Sequence, residues 1–280
     1  MTKKIGFMQG RLSPIVDGKI QSFPWGNWQN EISLATEIGL NLMEWTLDQD
    51  RLYENPLMTL EGQQEILTIS KSYDFSIPSV TGDCFMQAPF WKVIDEHDRK
   101  ELQRNFIAVI NACRRVGITL VVVPLVDGGR IENIEQENCL VDFLLEQEAK
   151  ISELGVKVIF ESDFDPSNLC RFISRLSDRN FGINYDIGNS AALGFNPIDE
   201  FKAIGNRILN VHVKDRISNG STVPLGDGNA DFSKVFKLLE SHRYTSNYIL
   251  QTARADDGDH LSVLNTYRRT VEDWVKNNGS

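Results

Sequence analysis

The chain has 280 residues, of which 41% are hydrophobic and 24% charged, a balance typical of a globular protein with a sizeable core. Its net charge of −10 at pH 7 argues against a nucleic-acid partner, because nucleic-acid binding favours a basic face. No apolar run approaches the roughly 18 residues of a membrane span, and no leader peptide follows Met1, so we expect a cytoplasmic protein without a membrane partner.

Hydrophobic periodicity predicts eight strands that alternate with eight helices. The predicted strands cover 5–10, 40–45, 75–80, 118–124, 156–161, 181–186, 208–213 and 247–251. Six predicted helices cover about 28–38, 57–73, 98–115, 133–154, 231–240 and 261–276. Two more are predicted by their first residues alone, one beginning after 165–166 and one beginning at 197. The alternation and the length predict a single (β/α)8 TIM barrel over residues 1–280, with a parallel eight-stranded core. Pro78 is unusual in a central strand, so we expect the third strand to begin or bend there.

Polar side chains end four consecutive predicted strands. Glu161 and Asp186 are 25 residues apart, Asp186 and His212 are 26 apart, and Gln251 ends the eighth strand. Because a parallel barrel gathers its strand ends at one mouth, these side chains are expected to meet there. Oxygen and imidazole ligands suit Mn²⁺, Mg²⁺, Co²⁺ or Zn²⁺ better than a thiolate-binding metal. Taken alone, each residue has a simpler interpretation. A strand-end Asp, for example, can simply cap a helix.

Two further side chains are candidates for sugar binding. Glu44, at the tip of the second predicted strand, could bind substrate hydroxyls or pair with a neighbouring cation. Trp25, in the first loop, could stack on a sugar ring or pack as a wall.

Six segments resemble the sugar isomerase and epimerase branch of the xylose-isomerase-like barrels. They are GFMQGRLS at 6–13, LMEW at 42–45, FE at 160–161, YDIGN at 185–189, VHVKD at 211–215 and VPLGDG at 223–228. In that family a Glu, an Asp, a His and a second Glu hold a divalent metal ion, and Glu161, Asp186 and His212 match the first three. The chain departs from the family pattern at Asn189, where a His is common, and at Gln251, where the last Glu stands.

The resemblance implies proton transfer next to the carbonyl of a small sugar or sugar phosphate. It implies Glu161 as the base, while Gln251 can bind a metal ion through its amide oxygen but cannot act as a base. Lys214 could donate a proton or stabilise the enediolate, or could instead pair with Asp215 or Glu44.

The remaining candidates concern substrate binding and assembly. Asn189 is assigned to the substrate, and Arg11, Arg216 and Arg254 could bind a phosphate or carboxylate or form salt bridges. The resemblance also implies a homodimer or homotetramer.

Two alternatives to an isomerase or epimerase stay open. A dehydratase could use the same enediolate to expel a β-hydroxyl, and a non-catalytic sugar-binding barrel could carry a site degenerate at Gln251. The related barrel nucleases that act at abasic sites fit poorly, because they need many histidines and this chain has four.

Overall fold

Eight parallel strands close into a barrel, as the sequence predicts. The computed structural model describes residues 5–16 and 18–278. The barrel strands are β1 (Ile5–Met8), β2 (Leu42–Thr46), β3 (Ser76–Thr81), β4 (Leu120–Leu125), β5 (Lys157–Ser162), β6 (Phe181–Asp186), β7 (Ile208–Val213) and β10 (Tyr248–Leu250). They pair in chain order, and β10 closes the ring against β1. Two short strands outside the ring, β8 (Asp215–Arg216) and β9 (Thr222–Val223), pair antiparallel.

Helices connect the strands around the barrel. They are α1 (Trp28–Glu37), α2 (Leu60–Ser72), α3 (Asp83–Gln87), α4 (Glu96–Val116), α5 (Ile134–Glu153), α6 (Pro166–Ile173), α7 (Ile187–Leu193), α8 (Pro197–Ile204), α9 (Phe232–Ser241) and α10 (His260–Asn278). The helix predicted over 57–73 is in fact a short 3-10 turn, Pro56–Met58, followed by α2.

Helix α4 shows how the local sequence sets an element. The side chain of Asp95 accepts a hydrogen bond from the backbone N–H of Asp98 and caps the first turn. Gly117 ends the helix at φ 84°, a left-handed conformation that glycine adopts without strain. Between them, one apolar stripe faces the barrel and is buried: Phe106, Val109, Ile110 and Cys113.

The barrel interior changes from apolar to polar towards the mouth. Most buried apolar side chains form one core between strands and helices, but Met8, Leu42 and Ile249 form a small separate cluster. Leu120, Val122 and Ile159 form another. Further along these and neighbouring strands, buried positions carry polar side chains: Glu44, Ser79, Thr81, Asn184, Asn210 and His212.

Several elements of the structure are not predicted from the sequence. Helices α3 and α7 and the β8–β9 hairpin follow strand ends that the periodicity assigns to loops. Pro78 lies inside β3, and the pairing of β2 with β3 shifts register between Leu42 and Glu44. Residues 1–4, on which the prediction of no leader peptide rests, lie outside the described residues. Within the described part, no helix is both long and apolar enough to span a bilayer.

Candidate active site

Three strand-end side chains form a compact acidic cluster with an imidazole. Glu161 lies on β5, Asp186 ends β6 and His212 lies on β7, where Asp186 and His212 are direct register partners. Each offers one ligand atom, and these atoms all lie within 4.8 Å of one another. All three residues are buried. The neighbouring strand ends therefore create a small site with oxygen and nitrogen donors, as their spacing predicts.

Glu44 orients the imidazole of His212. Glu44 Oε1 lies 2.7 Å from His212 Nε2, and the carboxylate also accepts hydrogen bonds from Ser79 Oγ at 2.6 Å, from Thr81 Oγ1 and from Asn210 Nδ2 at 2.7 Å. With Nε2 held by Glu44, Nδ1 faces the cluster. A carboxylate on the far nitrogen commonly orients a metal-binding histidine. Glu44 is fully buried beneath the cluster, so its position gives no support to the expected contact with substrate.

The imidazole of His212 lies against both carboxylates of the cluster. His212 Nδ1 lies 3.2 Å from Glu161 Oε2 and 3.9 Å from Asp186 Oδ2. Burial favours the neutral imidazole, but the charge of Glu44 and the hydrogen bonds to Glu161 and Glu44 outweigh it and raise the pKa of His212 to about 10. A proton on Nδ1 therefore relieves the repulsion. A divalent ion bound by the same three atoms would relieve it more strongly, so the donor set fits a metal ion.

The two carboxylates of the cluster differ in their environment. Burial raises the pKa of Glu161, but hydrogen bonding to His212 and the charges of His212 and Lys214 lower it overall. Burial raises the pKa of Asp186. The positive charge of Lys214 lowers this pKa by less, so it stays above its ordinary value. Asn189 Nδ2 donates to Glu161 Oε1 at 2.6 Å, and Asn184 Nδ2 donates to Oε2 at 3.0 Å. Glu161 is thus the better ionised of the two carboxylates.

Lys214 connects the cluster to Gln251. Its Nζ donates to Asp186 Oδ2 at 3.3 Å, Asn189 Oδ1 at 3.2 Å and Gln251 Oε1 at 3.3 Å. The alternative pairing of Lys214 with Asp215 or Glu44 is therefore wrong, since Asp186 takes that position. A Cβ on Gly188 would come within 2.8 Å of Lys214 Cγ, so glycine lets α7 pass this close.

A cavity of about 490 Å³ opens above the cluster, within the size range of small-molecule sites. Five of the expected site residues line it: Glu161, Asn189, Lys214, Arg216 and Gln251. Arg216 Nη1 donates to Asn189 Oδ1 at 2.8 Å, and its Nε and Nη2 donate to the carbonyl of Gly220. The mouth of the barrel therefore carries a polar cavity that reaches the cluster at Glu161, whereas Asp186, His212 and Glu44 are not among the described residues that line it.

Three other expected residues lie elsewhere. Arg11 Nε donates to the carbonyl of Thr252 at 3.0 Å, and burial lowers the pKa of Arg11 to about 10. Arg254 donates to backbone carbonyls of the loop after β1. Trp25 lies beneath the guanidinium of Arg51, 3.8 Å from the ring centroid. None of the three is among the described residues that line the cavity, so their expected contact with substrate gains no support.

Asp83 and Gln21 line the same cavity, and the sequence predictions do not include them. Gln21 Nε2 donates to Asp83 Oδ2 at 2.9 Å. Burial raises the pKa of Asp83 to about 7, and the charges of Asp48 and Glu161 add to the effect. The available signal was position, since Asp83 comes shortly after the end of the third predicted strand.

Comparisons with known proteins agree on the fold and on sugar chemistry. A family model described as a xylose isomerase-like TIM barrel matches residues 32–274. An inosose dehydratase of Clostridium beijerinckii is 23% identical over 193 residues, which cover 56% of this chain and 64% of that protein. The L-ribulose-5-phosphate 3-epimerase UlaE of Escherichia coli is 24% identical over 257 residues, 89% of each chain. The chain thus spans slightly less than two thirds of the dehydratase.

A solved structure supports the same fold. The IolI protein, crystallised with a bound zinc atom, superposes with a TM-score of 0.76 at 18% identity and covers 98% of this chain and 99% of its own.

Proposed function

Because the chain belongs to the xylose isomerase-like TIM barrel family, we propose that it is a metal-dependent isomerase or epimerase of a small sugar or sugar phosphate. The observation that carries the proposal is the buried cluster of Glu161, Asp186 and His212, which a polar cavity reaches at Glu161. Its imidazole is oriented by a buried carboxylate, an arrangement typical of metal sites. The relationship to an epimerase over 89% of both chains supports the reaction class.

Glu161, Asp186 and His212 Nδ1 would hold the metal ion, with the amide oxygen of Gln251 as the fourth candidate ligand. A divalent ion there supplies positive charge that stabilises negative charge on substrate oxygens. The zinc atom in the IolI structure supports a divalent ion, and Mn²⁺, Mg²⁺ and Co²⁺ suit the same donors.

Glu161 is the base in this proposal. Its lowered pKa keeps the carboxylate ionised at neutral pH, and two asparagine side chains hold its oxygens in place. It removes a proton from the carbon next to the substrate carbonyl, and the C–H electron pair enters the enediolate. Lys214 lines the cavity beside Glu161 and contributes positive charge near the enediolate oxygens.

Asn189 and Arg216 are the proposed substrate contacts. Both line the cavity beside Lys214, and both carry N–H groups suited to sugar hydroxyls or to a phosphate.

A dehydratase is the second candidate, favoured by the relationship to inosose dehydratase. In that reaction the enediolate expels a β-hydroxyl, so the product is one water lighter than the substrate. Isomerisation and epimerisation leave the mass unchanged in ordinary water.

The two candidates are separable by mass. The Mn²⁺-loaded protein is incubated in deuterated water with ketoses, ketose phosphates and inosose, and products are followed by mass spectrometry. A ketose that gains deuterium without loss of water supports the isomerase or epimerase, whereas loss of water identifies the dehydratase. Sugar that binds but gains no deuterium and loses no water contradicts both and indicates a non-catalytic binding barrel.

A further inference from the structure

Asp83 faces the metal cluster across the barrel mouth. It follows β3, which stands opposite β7 in the ring of eight strands, and β7 carries His212. Asp83 lines the same cavity as Glu161 and is only 7% exposed. Its Oδ2 accepts one hydrogen bond, from Gln21, and the described residues provide none to Oδ1. Glu161 lies on β5, two strands from β3 in the ring, so Asp83 and Glu161 reach the cavity from different strands.

A chain of amide groups connects Asp83 with Gln251. Gln251 Nε2 donates to Gln21 Oε1 at 2.8 Å, and Gln21 Nε2 donates to Asp83 Oδ2 at 2.9 Å. At its other end, Gln251 Oε1 accepts from Lys214 Nζ at 3.3 Å. These contacts fix both amides, and Gln21 connects the amide at position 251 to Asp83 as Lys214 connects it to Asp186.

The chemistry of the site leaves one role unfilled. Reversing a stereocentre by proton transfer needs a base on one face of the carbon and an acid on another. Glu161 supplies the first, but the amide of Gln251 cannot exchange protons. Lys214 already donates to three acceptors, one of which is Asp186. Among the described residues that line the cavity, Asp83 is the other buried carboxyl.

Building on the proposed function, we propose that Asp83 is a second catalytic residue, the acid that returns a proton to the substrate. Glu161 takes the proton from the carbon next to the carbonyl, and the C–H electron pair becomes part of the enediolate. That pair then forms a new C–H bond with the proton of Asp83, whose O–H bond breaks. Asp83 is left as a carboxylate and Glu161 as a carboxylic acid, and exchange with water restores both. No oxidant or reductant is needed, and the product is the epimer.

The environment of Asp83 suits a proton donor at neutral pH. Burial and the charges of Asp48 and Glu161 together raise its pKa to about 7, against the opposing effects of the Gln21 hydrogen bond and the charge of His212. An acid whose pKa lies near the working pH both holds a proton and releases it readily. The other charged groups on the cavity wall are Asp127, Arg130, Asp163, Lys214 and Arg216.

The first test separates the two halves of the reaction. Asp83→Asn is compared with Glu161→Gln and with Asp142→Asn, which removes the same charge from an exposed position of α5 that does not line the cavity. In deuterated water with Mn²⁺ and the ketose that exchanges fastest, Asp83→Asn should still exchange deuterium into the substrate within about tenfold of the parent rate. Formation of the epimer should fall by roughly 10²-fold or more, as for loss of a general acid. Asp142→Asn should retain both activities, and Glu161→Gln should lose both.

Unchanged epimer formation by Asp83→Asn would overturn the role of Asp83 and leave the proposed function intact. Equal loss of exchange and epimer in a folded Asp83→Asn protein would also overturn it, because such a result indicates a role in binding or structure.

A second test needs no substrate. The metal-free protein is labelled with ¹³C at aspartate carboxyls and titrated by nuclear magnetic resonance. We expect one carboxyl to titrate near pH 7 and to be absent from Asp83→Asn. If the carboxyl that disappears in Asp83→Asn is fully ionised by pH 5, Asp83 has no proton to donate and the proposal fails. If no ketose exchanges in the first test, the proposed function fails, while this titration still decides whether Asp83 can act as an acid.

Discussion

Glu161 is the residue on which the proposed chemistry depends. Glu161→Gln keeps the size of the side chain but removes the proton acceptor, so we expect deuterium exchange into substrate to fall by about 10²–10⁴-fold. The fold should be largely retained, because Glu161 makes polar contacts at a strand end and lies outside the apolar core. Glu146→Gln, the same change on an exposed position of α5, is the matched control. Near-parental exchange by Glu161→Gln, with thermal melts showing both variants folded, would exclude Glu161 as the base.

Gln251 is where this chain departs from the family pattern of ligands. Gln251→Glu would add a third carboxylate beside the bound cation, and attraction at a buried site is large although desolvation offsets much of it. We expect Mn²⁺ binding to tighten by about 1–3 kcal/mol, as for a charge-assisted contact. Titration calorimetry on parent and variant measures the difference. Equal or weaker affinity in the variant would place position 251 outside the metal's coordination shell.

The sequence predicts that three strand-end side chains converge, but it does not predict their hydrogen-bond partners. Glu161, Asp186 and His212 are spaced by one strand–helix unit, and a parallel barrel turns that spacing into proximity. Hydrogen-bond partners depend on how strands stagger across the ring. The contact of Glu44 with His212, 168 positions apart in the chain, therefore has no local signature.

At the scale of elements, the loop after β7 is organised around one carboxylate. Asp215 is fully buried, and its two oxygens accept hydrogen bonds from four backbone N–H groups, those of Arg216, Gly226, Gly228 and Ala230. A Cβ on Gly228 would lie 2.1 Å from Asp215 Oδ1, so glycine permits this close approach. The loop in turn holds Arg216 at the cavity wall.

Asp215→Asn should loosen this loop. The new amide N–H₂ would face backbone N–H donors, and leaving buried donors unpaired costs about 1–3 kcal/mol each. We expect a lower free energy of unfolding in urea and faster proteolysis between 217 and 230. Asp231→Asn, the same change at the cap of α9, should cost only a few tenths of a kcal/mol, because Asp and Asn cap helices about equally well. Equal stability of the two variants would mean that Asp215 does not organise the loop.

Long periodic elements are predictable from this sequence, and the short ones are not. Strands β6 and β7 begin and end where the sequence places them, because their apolar runs are bounded by polar residues. Helix α7 is only seven residues long, and its cap is Asp186, which also belongs to the cluster with Glu161 and His212. A segment this short carries too few turns for a helical period to show.

At the scale of the whole molecule, two buried carboxyls link stability to pH. Burial outweighs the backbone N–H bonds to Glu31 and raises its pKa to about 7, and burial likewise raises the pKa of Asp83 to about 7. Between the ordinary carboxyl pKa values near 4 and pH 7, the folded chain holds protons that the unfolded chain has released. Stability must then fall as pH rises through this window.

We expect the metal-free protein to be more stable at pH 5 than at pH 7. Each of these carboxyls contributes a slope of up to about 1.4 kcal/mol per pH unit. His212 acts in the same direction above pH 6.5, because its pKa is raised to about 10. Urea unfolding at both pH values measures the effect, and Asp83→Asn should show the smaller difference. Greater stability at pH 7 would contradict the assignment of raised pKa values.

The proposed function depends most directly on a metal ion at the barrel mouth. Anomalous diffraction from crystals soaked in Mn²⁺ would locate this ion. The described residues offer two groups of potential ligands, the buried cluster of Glu161, Asp186 and His212 and an exposed group of Asp95, His97 and Asp98. We expect an anomalous peak within bonding distance of both buried carboxylates and of His212 Nδ1. The peak should be absent from crystals of Asp186→Asn. A peak at the exposed group alone, or no peak at the barrel mouth at saturating Mn²⁺, would contradict the proposed function.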